Sequence, residues 1–128
     1  MFLLEEIYKE LLLEAVKENS VIKAIKDKRV IMINYDGDEN NSKGRRTIEI
    51  YALGTSKKTG RLMIRAFQRE GESDTKTGNK NSINNIPSWR LFYIDKITSF
   101  KNTIQNHNGD RPLYKKNDKM MGNIIFQI

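Results

Sequence analysis

Apolar residues recur every third or fourth position through the first eighteen residues. Leu4, Ile7, Leu11 and Ala15 form one stripe, and Tyr8, Leu12 and Val16 widen it. That spacing predicts an amphipathic helix from Phe2 to Glu18. Glu5, Glu6 and Glu10 crowd its first half, where the helix macrodipole favours carboxylates. Asn19-Ser20 then breaks the pattern, with Ser20 placed to cap a second short helix over Val21 to Lys28 whose apolar face is Val21, Ala24 and Ile25. So wide a stripe on the first helix needs cover, either from the body of the protein or from a partner subunit.

Beyond Lys28 the period of the pattern shortens from three or four to two. Arg29 to Tyr35, Arg46 to Leu53 and Leu62 to Arg69 read as strands, separated by the Gly- and Asn-rich stretch Asp36 to Gly44 and the loop Gly54 to Gly60. That second loop is no phosphate loop, because a strand and not a helix follows it. Glu70 to Ser88 is a long polar loop. Its acidic start (Glu70, Glu72, Asp74) lacks the spacing of a metal site and reads as solvated charge. Trp89 to Phe100 is a strand, a compact break at Asp95-Lys96-Ile97, and a second strand. Alternation sets Trp89, Leu91 and Tyr93 on one face and Arg90, Phe92 and Ile94 on the other. The chain turns irregular at Asn106 to Asp110, and Asn123 to Ile128 is apolar enough for a last strand or an edge-pairing arm.

These elements predict an α+β fold in one domain: a helical segment over 1–28, a small five- or six-stranded SH3-like (Sm-like) antiparallel β-barrel over 29–104, and an arm over 105–128. There are too few strands for a two-sheet sandwich. At 128 residues there is no room for a second core.

Charge and chemistry narrow the function. Lys plus Arg number 23 against 16 Asp plus Glu, a formal charge of +7 that favours polyanionic partners. The absence of cysteine excludes disulfides, thiolate catalysis and Cys-based zinc sites. The lone histidine, His107, lies among Asn and Gly and reads as a solvent-exposed loop residue. With one histidine and no thiol, no catalytic triad assembles, so the chain reads as a non-enzyme that needs no cofactor and holds no metal. The glutamates of the first helix exclude a signal peptide or membrane span, which points to a soluble cytoplasmic protein with no membrane partner.

The order of short motifs resembles the WYL-domain family, over about Val21 to Phe100. A short helix leads into a strand ending at Tyr35. Arg46-Thr-Ile-Glu49 is similar to the family's Arg-x-Ile-Glu-Pro, with Ile50 in place of the proline. Leu62-Met-Ile-Arg-Ala-Phe67 stands where the name-giving triplet and x-Ala-Tyr would be. Arg90-Leu-Phe-Tyr-Ile-Asp-Lys-Ile97 resembles the closing Arg-x-Phe-x-Leu-Asp-Arg-Ile, with Lys96 replacing an arginine. The chain also looks like small stand-alone WYL-like proteins of tailed bacteriophages. The resemblance implies an SH3/Sm-like barrel acting as a regulatory ligand-binding module, with nucleic acid or a nucleotide held by basic side chains. The segment before the barrel is too short for the winged helix that often accompanies such domains, so the expectation is a sensor half acting alone.

The candidate binding residues are Arg46, Arg65, Phe67, Arg69, Arg90, Phe92 and Lys96. Arginine forks grip phosphate bidentately and rings stack on bases. Arg65 beside Phe67 and Arg90 beside Phe92 would form a two-guanidinium patch if their strands pair. The competing expectation pairs Arg65 with an acidic residue such as Glu49, has Arg90 pair with Asp95 or cap a carbonyl, and uses Trp89 and Tyr93 as core. Lys57, Lys58, Lys76 and Lys80 read most simply as solvated surface, with sequence-independent phosphate contacts as the alternative. The expected partner is single-stranded nucleic acid or a nucleotide. A second function class is a virion structural part, a connector or capsid-associated subunit. In that class the helix and the C-terminal arm contact other copies or other subunits, and the protein resides in the virion instead of the host cytoplasm.

Overall fold

A computed structural model describes residues 2–39, 41–69 and 88–128. The loop expected at Glu70 to Ser88 therefore lies, but for Ser88, outside the described residues, as do Lys76 and Lys80. The elements run α1 (Phe2–Asp27), β1 (Arg29–Tyr35), β2 (Gly44–Ser56), β3 (Leu62–Gln68), β4 (Ser88–Tyr93), a single 3-10 turn (Ile94–Lys96), β5 (Ile97–Asn106) and β6 (Met121–Gln127). Among the described residues the fold is α+β, with six antiparallel strands in one sheet.

The helical segment differs from expectation. α1 is one continuous helix that passes through Asn19-Ser20 without a break. Asn and Ser cost only about 0.5 kcal/mol each in a helix interior, and burial of Val21, Ala24 and Ile25 just beyond them outweighs that cost. The helix ends at Lys28, whose φ of 52° is a left-handed stop, and β1 begins at once.

The strands lie near the predicted runs, but β2 takes in the start of the loop expected at Gly54 to Gly60, β5 continues past Phe100 to Asn106, and β6 begins at Met121. The sheet order is β4-β3-β2-β1-β5, with β6 also on β2. The 13-residue β2 organises it. β3 runs along one edge from Ile48 to Thr55. On the other edge β1 pairs as far as Glu49, and β6 takes over from Ala52 to Ser56. An irregularity in the β2–β3 register between Ile50 and Ala52 sits at this handover. The extra residue there sets Tyr51 and Ala52 on one side and bends the strand.

One face of the sheet carries the main core. Ile31, Ile33, Ile48, Ile50, Leu53, Ile64, Ala66 and Phe92 pack there beneath Val21, Ala24 and Ile25 of α1. A smaller cluster of Ala52, Met63 and Met121, with Leu91, Tyr93 and Ile124 against it, occupies the opposite face. Along the first two-thirds of α1, Leu4, Ile7, Tyr8, Leu12 and Val16 are exposed. No described helix is long and apolar enough to cross a membrane.

At Gly54 the backbone of β6 comes close to β2. A Cβ built there would meet the Asn123 carbonyl oxygen at 2.4 Å and the Met121 Sδ at 2.7 Å. Gly54→Ala is therefore expected to cost about 2 kcal/mol, the usual scale of overpacking. The loss should appear in thermal denaturation, with hydrogen exchange of the β6 amides accelerated before that of β1 and β5.

Candidate functional site

The register of β3 and β4 decides which candidate residues meet. Arg65 lies opposite Leu91 and Phe67 opposite Trp89, while Ala66 lies opposite Arg90 and Ile64 opposite Phe92. Residues directly opposite in an antiparallel pair share a face. Arg65 and Arg90 therefore project to opposite sides of the sheet. The two strands pair as expected, but the two-guanidinium patch does not form.

The other candidates divide the same way. Arg46 is completely buried, donating to Gln68 Oε1 at 2.7 Å and to the Ser42 carbonyl, with its guanidinium 5.7 Å from the Phe92 ring centroid. Phe92 is core, packed edge-on against Tyr35 at 4.8 Å. Arg90 has its pKa lowered by burial. Lys96 sits in the 3-10 turn, 4.0 Å from Asp36. Only Arg65, Phe67 and Arg69 gather on the face away from α1. The pairings expected for the arginines also change: Arg65 is held by Asp118 and not Glu49, and Asp95 is held by Arg61.

On that face the sheet supplies a row of rings, Tyr51, Phe67 and Trp89, and residues 107–120 lie across it. Trp89 meets Tyr51 at 4.9 Å and Phe67 at 5.4 Å, both edge-on. From the covering segment, His107 stacks on Tyr51 at 5.2 Å, the Arg111 guanidinium sits 4.4 Å over Phe67, and Tyr114 stacks on Trp89 at 5.6 Å. The Trp89 Nε1–H donates to the Pro112 carbonyl at 2.9 Å, and the Arg111 N–H donates to the Tyr51 hydroxyl oxygen at 3.1 Å.

The strongest anchor is Glu49, which is wholly buried. Arg111 donates to both its oxygens, Nε to Oε1 at 2.9 Å and Nη2 to Oε2 at 2.8 Å, and Arg69 Nε donates to Oε2 at 3.0 Å. Burial alone would raise the Glu49 carboxyl, but these charge-assisted bonds outweigh it and hold the group below the usual carboxylate range. Asp118 repeats the arrangement: burial opposes ionisation, and hydrogen bonds from Arg65 and the Met120 N–H prevail, lowering its pKa.

His107 is not the exposed loop residue its neighbours suggested. Its side chain is buried, and Nδ1 accepts the Gly109 N–H at 3.0 Å, so the ring proton belongs on Nε2, which is buried with no hydrogen-bond partner among the described residues. Burial, with Arg69, Lys28 and Arg111 adding to it, lowers the His107 pKa despite Glu49 nearby. His107 is therefore neutral in the folded protein at neutral pH.

Two hollows flank the covering segment. A polar one of about 260 Å³ is lined by Glu49, Arg69, His107, Asp110 and Arg111 among others. A larger, open cleft of about 440 Å³ has Trp89, Tyr114, Leu113 and Met120 as its apolar surface, with Lys115, Lys116 and Lys119 around it and Arg65 bound to Asp118 at its side. These three lysines and Tyr114 were missed in the sequence. The signal available was the run Tyr114-Lys-Lys-Asn-Asp-Lys119, a ring among cations. Among the described residues, no three His, Asp or Glu side chains gather as metal ligands.

No family model, curated protein or solved structure matches this chain.

The ionisation pattern fixes the sign of the pH dependence. His107 has a lowered folded pKa, so the unfolded chain binds the extra proton and stability begins to fall as pH drops below about 6.5. Glu49 and Asp118 are also lowered, so their contribution is complete at neutral pH and is lost as pH falls through about 4 and below. Thermal melts against pH should show this two-stage acid limb. Glu49→Gln should cost about 2 kcal/mol at pH 7, discounted because both arginines are partly exposed, and should flatten the lower stage.

Proposed function

We propose that this chain is a non-catalytic, WYL-type regulatory module that binds nucleic acid or a nucleotide, and that the cleft beside residues 113–120 is where it does so. One observation carries the reading: the stacked pair Trp89–Tyr114 stands in one cleft with Lys115, Lys116 and Lys119. Rings of this kind accept bases at about 1–3 kcal/mol each, and flexible lysines accept phosphates with little demand on sequence. The net charge of +7 draws polyanions in. Of the residues named from sequence, Arg65 lines this cleft, Phe67 stands behind it against Trp89, Arg69 lies beyond them on the same face, and Arg46, Arg90, Phe92 and Lys96 serve the frame.

The motif order from Tyr35 to Ile97 supports the WYL assignment. The long β2, shared first with β1 and then with β6 along one edge, supports an SH3-like barrel as its architecture. We place the protein in the cytoplasm, acting in regulation, and if phage-encoded in the host cytoplasm. A second reading, a virion structural component, is favoured by one observation: the apolar ridge of α1 that the body leaves uncovered.

Titration of a short labelled single-stranded oligonucleotide, and of a mononucleotide, tests the first reading. The expected result is micromolar or tighter binding to at least one of them, with a log–log salt slope of about −2 for three phosphate contacts on the single strand. Tyr114→Ala should weaken binding roughly tenfold. Replacing Lys115, Lys116 and Lys119 by Ala should bring the slope close to zero. No binding at low salt, or binding indifferent to these substitutions, contradicts the proposal.

A further inference from the structure

The chain has one histidine, and it stands at the start of the segment that covers the ring face. The His107 N–H donates to the Lys28 carbonyl at 2.8 Å, and at the far end the Lys57 N–H donates to the Met120 carbonyl at 2.9 Å. Between these ties, from Asn108 to Asn117, the segment shares no backbone–backbone hydrogen bond with the sheet among the described residues. No residue of 107–120 belongs to either apolar cluster. Leu113 and Asn117 hold φ of 70° and 59°, a left-handed backbone that persists where the surroundings impose it. The segment is therefore kept down by side-chain contacts, and it can rise without opening either core.

His107 is the contact that mild acid reaches first. Its Nδ1 accepts the Gly109 N–H at 3.0 Å, so a proton on Nδ1 would set two donors against each other. Facing the ring are Glu49 and Tyr51 from β2, Lys28 after α1, Arg69 after β3 and Arg111 from the segment, with Asp110 on the neighbouring hollow. Glu49 attracts an imidazolium, 3.9 Å from Nδ1, but its two oxygens already accept from Arg111 and Arg69. Burial and three nearby cations oppose the charge, so the folded ring favours its neutral form. Relief comes when the ring leaves Tyr51 for water, and the covering segment begins at that ring.

We propose that proton uptake by His107 shifts residues 107–120 toward a lifted state while the strands stay paired. Mild acid then dismantles the cleft in a growing fraction of molecules, because Tyr114, Lys115, Lys116 and Lys119 leave with the segment. The ties of Arg111 to Glu49 and of Arg65 to Asp118 set how often the segment opens at neutral pH, and the proton multiplies that frequency. Both carboxyls stay ionised through this range, since each lies below its ordinary value. The lifting itself does not depend on what the cleft binds. Its consequence for nucleic acid rests on the ligand reading above.

Hydrogen exchange of the Arg111 amide, which donates to the Tyr51 hydroxyl, and of the Trp89 indole tests the proposal. Rates are taken relative to an unstructured peptide at each pH. An open His107 takes its proton at about 6.5, so exchange should be several-fold faster at about pH 5.5 than at about pH 7.5, with about tenfold as the ceiling. The amides of β1 and β5 should not change. The acid step should share its midpoint with the His107 ring resonances, and His107→Gln, which keeps an acceptor but does not titrate here, should abolish it.

Unchanged Arg111 and Trp89 protection while the His107 ring titrates overturns the inference. Loss of β1 and β5 protection over the same range also overturns it, since that is unfolding of the sheet. An equal acid response in His107→Gln assigns the change to another group and does the same. Saturating single-stranded oligonucleotide should hold the segment down and slow both probes at either pH. No slowing, with the acid step intact, overturns the ligand reading and supports the lifting alone.

Discussion

A single buried carboxylate holds the functional face together. Glu49 sits in the middle of β2 with no exposed surface, and an ion in that position is stable only if strong donors replace its water. Arg111 and Arg69 do so, one from the covering segment and one from the end of β3. Because Arg111 belongs to the segment 107–120, satisfying Glu49 draws that segment onto the sheet. Once it is there, His107 stacks on Tyr51, Tyr114 reaches Trp89, and the lysines that follow are carried to the mouth of the cleft.

The arrangement depends equally on the bend in β2. At the handover from β1 to β6 the extra residue keeps Ala52 on the side that already holds Glu49 and Tyr51. The Tyr51 ring touches Trp89, His107 and Tyr114 together. A regular strand would alternate Ala52 into the main core and turn Leu53 out of it. The second ion pair, Arg65 with Asp118, pins the far end of the covering segment and sets the width of the cleft.

Much of this architecture was legible from the sequence, because strand alternation is a local property. β1 runs from Arg29 to Tyr35 as the pattern predicts, and the break at Asp95 to Ile97 is the 3-10 turn with its flanking strands. The division of Trp89, Leu91 and Tyr93 from Arg90, Phe92 and Ile94 follows from the same period. The helix boundary misled, because Asn19-Ser20 looks like a cap when only neighbours are considered. The partners of charged groups were not legible at all. Glu49 meets Arg111 across 62 residues and Arg65 meets Asp118 across 53. No local pattern encodes such a pairing. The same reason hid His107, whose polar neighbours signal a surface loop while Tyr51, distant in sequence, covers its ring.

The most direct test of the Glu49 anchor uses the one tryptophan of the chain, whose indole N–H gives a single resolvable signal. In the wild-type protein that proton is donated to the Pro112 carbonyl at 2.9 Å, so its hydrogen exchange should be slower than that of a free indole. In Glu49→Gln the exchange should become fast while the amides of β1 and β5 remain protected, because the covering segment lifts and the sheet does not unfold. Equal indole protection in both proteins would contradict the account, since the segment would then be held over the rings by something other than Glu49.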